Sequence, residues 1–88
     1  MGDFTITFKP SVEKDLRGLP KTVIADILER ISKLDANPSA PPAKKLSGTE
    51  RMYRLRVGEY RVVFEVDKAH KTVVIHYIRH RREVYRHL

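Results

Sequence analysis

Three arginines in the stretch Y53-R-L-R-V-G-E-Y-R-V-V-F-E-V66 have the type and spacing to hold an anion. Gly58-Glu59 lies between two alternating runs, and a tight two-residue turn there sets Arg56 directly across from Arg61. Arg54 falls on the same face, opposite Val63. Like charges opposed across a ladder destabilise a sheet by some tenths of a kcal/mol (about 0.2–1 for a cross-strand pair), so this face gains when an anion arrives. Phosphodiester oxygens suit the planar guanidinium fork better than they suit a point charge. The same pattern also fits a solvated sheet face on which arginine stems lie over apolar neighbours.

Further groups are candidates for proton or base chemistry. If Asp67 pairs with Thr72 across the next turn, His76 lies opposite Val63 and Ile78 opposite Arg61, on the arginine face; a one-residue slip inverts that face. The C-terminal stretch adds Arg79, His80, Arg81, Arg82 and Tyr85. Histidine moves protons near neutral pH, and tyrosine stacks a base or shuttles a proton. The four histidines lack the spacing of a structural zinc site, and there is no cysteine, so no metal is expected. There is no glycine-rich phosphate loop and no cluster of carboxylates for two-metal chemistry.

The elements that must carry these residues follow from periodicity. F4-T-I-T-F8 alternates as a short strand, and Ser11 is a candidate N-cap for a helix running to about Arg17. Gly18 and Pro20 break it, with Pro20 able to open a second helix. Val23, Ile24, Ile27, Leu28, Ile31 and Leu34 form that helix's apolar stripe. A proline-stiffened loop over 37–42 leads through K44-K-L-S-G48 to the hairpin. T72-V-V-I-H-Y-I-R79 is the last strand, followed by a charged tail or short helix. Tyr53, Leu55, Val57, Tyr60, Val62, Phe64 and Val66 make an apolar slab fit to pack under the two helices.

Eighty-eight residues are expected to form one domain, 1–88. The net charge of +7 is uneven. Residues 1–43 hold six bases and six acids, whereas residues 44–88 hold twelve bases against five acids, and eight of those bases are arginine. A polyanionic partner is implied, either nucleic acid or an acidic protein. No apolar run approaches the roughly 20 residues of a membrane helix, and no signal peptide is evident, so a cytoplasmic protein is expected.

K45-L-S-G48, the 53–66 stretch and H80-R-R-E-V-Y-R86, in that order and with those gaps, resemble the RelE/ParE superfamily of type II toxins, nearest its RelE branch. The resemblance implies an α+β domain with two N-terminal helices on one face of a curved antiparallel sheet, in the order β-α-α-β-β-β with a C-terminal tail or helix. It implies a toxin that cleaves messenger RNA in the ribosomal A site, with the 2′-hydroxyl as nucleophile and no metal or other cofactor. A RelB-like antitoxin, the ribosome and messenger RNA are the implied partners. By position, Arg54, Arg56, Arg61, Arg81 (or Arg79) and Tyr85 match the family's basic residues and tail tyrosine. Together with the residues singled out above, Arg61, Arg81, Tyr85 and His80 are the candidate catalytic residues, and Arg54, Arg56, Arg79, Lys45 and His76 the candidate RNA contacts. In the RelE branch the two strand positions held here by Arg54 and Arg56 are lysines, one of them a proposed general base. Arginine stays protonated, so proton abstraction here would fall to His76, His80, Tyr85 or a substrate-assisted route. The other readings of the resemblance are a ParE-like, non-enzymatic toxin acting on DNA gyrase, or a catalytically weak antitoxin-binding homologue.

Overall fold

The computed structural model describes residues 3–80. Strand β1 (Thr5–Phe8) is followed by helices α1 (Pro10–Arg17) and α2 (Lys21–Ser32), the latter extended by a 3-10 turn over Lys33–Asp35. Strands β2 (Lys44–Lys45), β3 (Met52–Val57), β4 (Tyr60–Asp67) and β5 (Thr72–His80) complete one sheet in the order β1-β5-β4-β3-β2. The α+β architecture expected from the sequence holds, with two corrections. The sheet is mixed, because β1 lies parallel to β5 while the other pairs are antiparallel. It also has a fifth strand, the two-residue β2, in a stretch whose residue pattern predicts only a connection. A parallel pair needs a long connection, and here it runs through both helices and strands β2, β3 and β4.

The core is the apolar slab expected from alternation, closed by the helices. Val62, Phe64, Val73 and Ile75 of the sheet meet Val12 of α1 and Ile27 and Ile31 of α2, all at most 2 % exposed. Tyr53 stacks on Phe64 across the β3–β4 pair, with ring centroids 5.9 Å apart. Gly58 takes φ 59°, the left-handed first position of the two-residue turn, which a side chain would strain. That turn fixes the β3–β4 register as expected, from Val57↔Tyr60 through Arg56↔Arg61 to Met52↔Glu65.

The β4–β5 register departs from expectation halfway along. Asp67 does face Thr72, and pairing continues to Phe64↔Ile75. A bulge between Val63 and Phe64 then absorbs His76, so Val63 faces Tyr77, Val62 faces Ile78 and Arg61 faces Arg79. His76 is therefore not opposite Val63, and Ile78 is not opposite Arg61. The reason lies in burial. Without the extra residue Ile78 would turn outward and Arg79 inward; with it, Ile78 is 4 % exposed in the core. Burying an isoleucine gives about 1.5–3 kcal/mol, whereas an unpaired guanidinium in the core is strongly disfavoured.

Strand β1 covers β5 only as far as Phe8↔Ile75, and α1 takes over beyond it. Ser11, read from sequence as an N-cap, sits inside the first turn, and its hydroxyl donates to the His76 carbonyl at 3.4 Å. Asp15 Oδ2 accepts the Ile78 backbone N–H at 3.0 Å. The helix thus closes a sheet edge whose polar backbone would otherwise invite pairing with another chain.

Candidate functional site

Residues directly opposed on neighbouring strands share a face. On the face away from the core, Arg56 of β3, Arg61 of β4 and Arg79 of β5 therefore form one row across the sheet. Beside it runs a second row, Lys44 of β2, Arg54 of β3, Val63 of β4 and Tyr77 of β5. Lys44, Arg54, Arg56 and Arg61, with Pro42, line a groove of about 220 Å³. Three of the expected phosphate contacts are thus brought together by one hairpin.

Lys45 is not among them. It pairs with Tyr53, a residue of the helix-facing slab, and lines a separate hollow with Glu50, Arg51 and Asp67. Its neighbour Lys44 stands on the arginine face instead. A two-residue strand sends one lysine to each side, and only its pairing with Arg54 decides which. Tyr77 was likewise not legible as a member of this face, since the bulge at His76 puts it there.

Arg79 joins the row but is held from several sides. Its guanidinium contacts Asp15 Oδ1 at 2.6 Å, donates to the Ile78 carbonyl at 3.0 Å and lies 5.1 Å from the centroid of the Tyr77 ring. The Asp15 side chain is only 16 % exposed, so this ion pair is partly shielded from solvent. With the Ile78 N–H as its other partner, the Asp15 carboxylate locks α1 to the end of β5 and fixes where Arg79 stands. No sequence spacing announces that contact between residues 15 and 79.

The two candidate proton carriers of β5 lie apart from the groove. His76 Nε2 is 3.0 Å from Glu65 Oε1, and the imidazole is largely covered. His80 faces Tyr60 in edge contact, ring centroids 5.1 Å apart, and Tyr60 packs against the core cluster. His80 is thus on the helix side of the sheet. Arg81 and Tyr85 lie outside the described residues, as does the expected tail or short helix.

Charge on the outer face is segregated. Toward the β4–β5 turn, Arg51 Nη1 lies 3.9 Å from both Glu65 Oε2 and Asp67 Oδ2, and His70 Nδ1 lies 2.8 Å from Asp67 Oδ2. Hydrogen bonds from the His70 side chain, then from its backbone N–H, hold the Asp67 carboxyl below its ordinary value. Toward the Gly58 turn, the described residues lining the arginine groove are four bases and Pro42. Guanidinium forks at strand spacing can there take several oxygens of one phosphodiester and stabilise charge that builds on it. Among the described residues no three His, Asp or Glu side chains converge as metal ligands would.

Comparison with known proteins agrees with this architecture. Residues 6–85 match the family described as the ParE toxin of the type II toxin-antitoxin system parDE. The chain is 31 % identical over 87 residues to Toxin RelG of Mycobacterium tuberculosis, covering 94 % of this chain and 97 % of that one. It is 30 % identical over 86 residues to Putative toxin RelE1 of Methanocaldococcus jannaschii, with 94 % and 96 % covered. The crystal structure of the archaeal RelE–RelB complex from Pyrococcus horikoshii contains a similar chain, at a TM-score of 0.80 and 30 % identity over 90 % of this chain and 96 % of that one.

Proposed function

We propose, because this chain belongs to the RelE/ParE superfamily of type II toxins near its RelE branch, that it is a ribosome-dependent endoribonuclease cutting messenger RNA in the A site. The observation that carries this reading is the convergence of Lys44, Arg54, Arg56 and Arg61 on one groove of the sheet's outer face. The groove's charge suits a nucleic-acid backbone, and a single strand, whose bases can be splayed out and stacked, fits the reading better than a duplex that hides them. The 2′-oxygen attacks the adjacent phosphorus, and Arg54, Arg56 and Arg61 hold the non-bridging oxygens as negative charge grows. Arg79, anchored by Asp15, extends the row toward the tail, where Arg81 and Tyr85 would complete the grip on phosphate and base. Because no metal enters the step, the arginines supply the electrostatic stabilisation.

A RelB-like antitoxin is the proposed partner, as in the Pyrococcus horikoshii complex. An acidic antitoxin segment would be held more tightly at low salt than at high salt. Among the described residues no helix is long and apolar enough to cross a membrane, and the proposed site of action is the cytoplasm.

The test is induction of the wild type and of Arg61→Ala in bacterial cells, with primer extension on a translated message. Cuts at codon spacing that vanish in the variant support the reading. The matched family bears the ParE name, which keeps a second reading in view. Growth arrest without such cuts, accompanied by altered plasmid topology, would transfer the assignment to DNA gyrase. A folded protein that causes no arrest would be a homologue that binds antitoxin and scarcely cuts.

A further inference from the structure

The nuclease reading leaves one proton without a destination. Attack by a 2′-hydroxyl requires something to accept its hydrogen, within hydrogen-bond reach of the groove where the phosphate is held. Among the described residues lining that groove, Arg54 and Arg56 from β3 and Arg61 from β4 are guanidinium groups that do not deprotonate. Pro42 has no exchangeable side-chain proton. That leaves Lys44, and lysine is a side chain that can work as a neutral amine.

The backbone puts it there for a simple reason. Lys44 is directly opposite Arg54, and opposed residues have their Cβ atoms about 4.5–5.5 Å apart. The next residue, Lys45, is committed to the other face by Tyr53, so the register of β2 selects one lysine of the doublet. Among the described residues the competing groups are engaged elsewhere: His76 with Glu65, His80 with Tyr60.

We propose that Lys44 Nζ is the general base of the cleavage step, a role that rests on the nuclease reading of the same groove. The lone pair of the neutral amine takes the 2′-hydroxyl proton, and the freed oxygen pair forms the bond to phosphorus. The bond from phosphorus to the 5′-oxygen breaks, its electron pair leaves on that oxygen, and water supplies the proton that completes the 5′-hydroxyl. The products are a 2′,3′-cyclic phosphate and a 5′-hydroxyl end. Lys44, now an ammonium, returns its proton to the hydroxide left in solution. The arginines hold the phosphate; the lysine moves the proton.

The experiment is single-turnover cleavage on ribosomes programmed with a translated message, between about pH 6 and pH 9, for the wild type, Lys44→Arg and Lys44→Ala. Lys44→Arg keeps the charge and removes the base. It should still bind ribosomes, cut about 10²-fold more slowly or worse, and lose the rise of rate with pH. Methylamine should restore part of the cleavage by Lys44→Ala, with a rescue that grows with pH as the neutral amine increases, whereas rescue of a lost phosphate contact would follow the ammonium form. Wild-type rate and pH profile in Lys44→Arg would overturn the assignment and leave the nuclease reading standing. A slower rate with the profile unchanged would also overturn it, reducing Lys44 to a phosphate contact. A wild-type protein that binds ribosomes and cuts nothing would overturn both.

Discussion

The two ends of the outer face use the same residue type in opposite ways. Near the β4–β5 turn, Arg51 is shared between Glu65 and Asp67, and His70 and His76 each bond one of those carboxylates. Near the Gly58 turn, Arg56 and Arg61 face each other across the ladder and Lys44 faces Arg54. The first end has its charges balanced by the fold. The second, among the described residues, concentrates one sign in a groove, at some cost to the sheet. Arg79 is the hinge between these regimes: it stands in the arginine row but is neutralised by Asp15.

The largest effect that breaks this comparison should come from the groove itself. Arg61→Ala is expected to lower message cleavage by about 10²–10³-fold, the usual loss for one donor to developing charge, as read by primer extension. Second is the hinge. Asp15→Ala removes the acceptor of the Ile78 N–H together with the partner of Arg79, and should destabilise the fold by about 1–3 kcal/mol. Urea unfolding checks this as a lower midpoint at unchanged slope. The third prediction sharpens the contrast between the ends. For ribosome or single-stranded RNA binding, Arg54→Gln should reduce the slope of log affinity against log salt by about 0.7, while Arg51→Gln should leave it unchanged. Equal slopes would mean that the balanced end also contacts RNA.

The smallest effect belongs to Asp67. Its carboxyl lies below the ordinary value of 3.8 in the fold, so the unfolded chain binds more protons in the window between the two values. Its contribution is therefore complete above pH 3.8 and is lost as pH falls through the lowered value. The difference in Tm between the wild type and Asp67→Asn should be small at neutral pH and shrink on acidification below that point. A difference that grows on acidification would show that the His70 contact does not favour the charged carboxylate.

The hairpin was the most legible part of the chain, because Gly58 fixes a turn and a turn fixes a register. The six β3–β4 pairs, and with them the facing arginines, follow from that single glycine. Register in β5 was harder, since no turn controls its far half. The break shows in burial and not in residue type: Val73 and Ile75 are two apart and the next core residue, Ile78, is three further on, while Tyr77 keeps the period of two in the sequence. Such a break in period two marks an inserted residue. Lys44 and Lys45 could not be told apart by type or spacing, and neither the β1–β5 pairing nor the clasp from Asp15 to Arg79 leaves a local signal. Each joins residues more than sixty positions apart in sequence.

The parallel pairing of first and last strands also sets the order in which the protein can be made. Thr5 waits for Thr72, and Asp15 waits for Ile78 and Arg79. During synthesis from the N-terminus, the helices emerge with no completed sheet to pack against, and the last arginine of the row is placed only when β5 arrives. Contacts this distant close slowly. A nascent chain therefore cannot assemble its full arginine row until β5 has been translated, and one that stops before β5 leaves β1 without its neighbour and the row one member short.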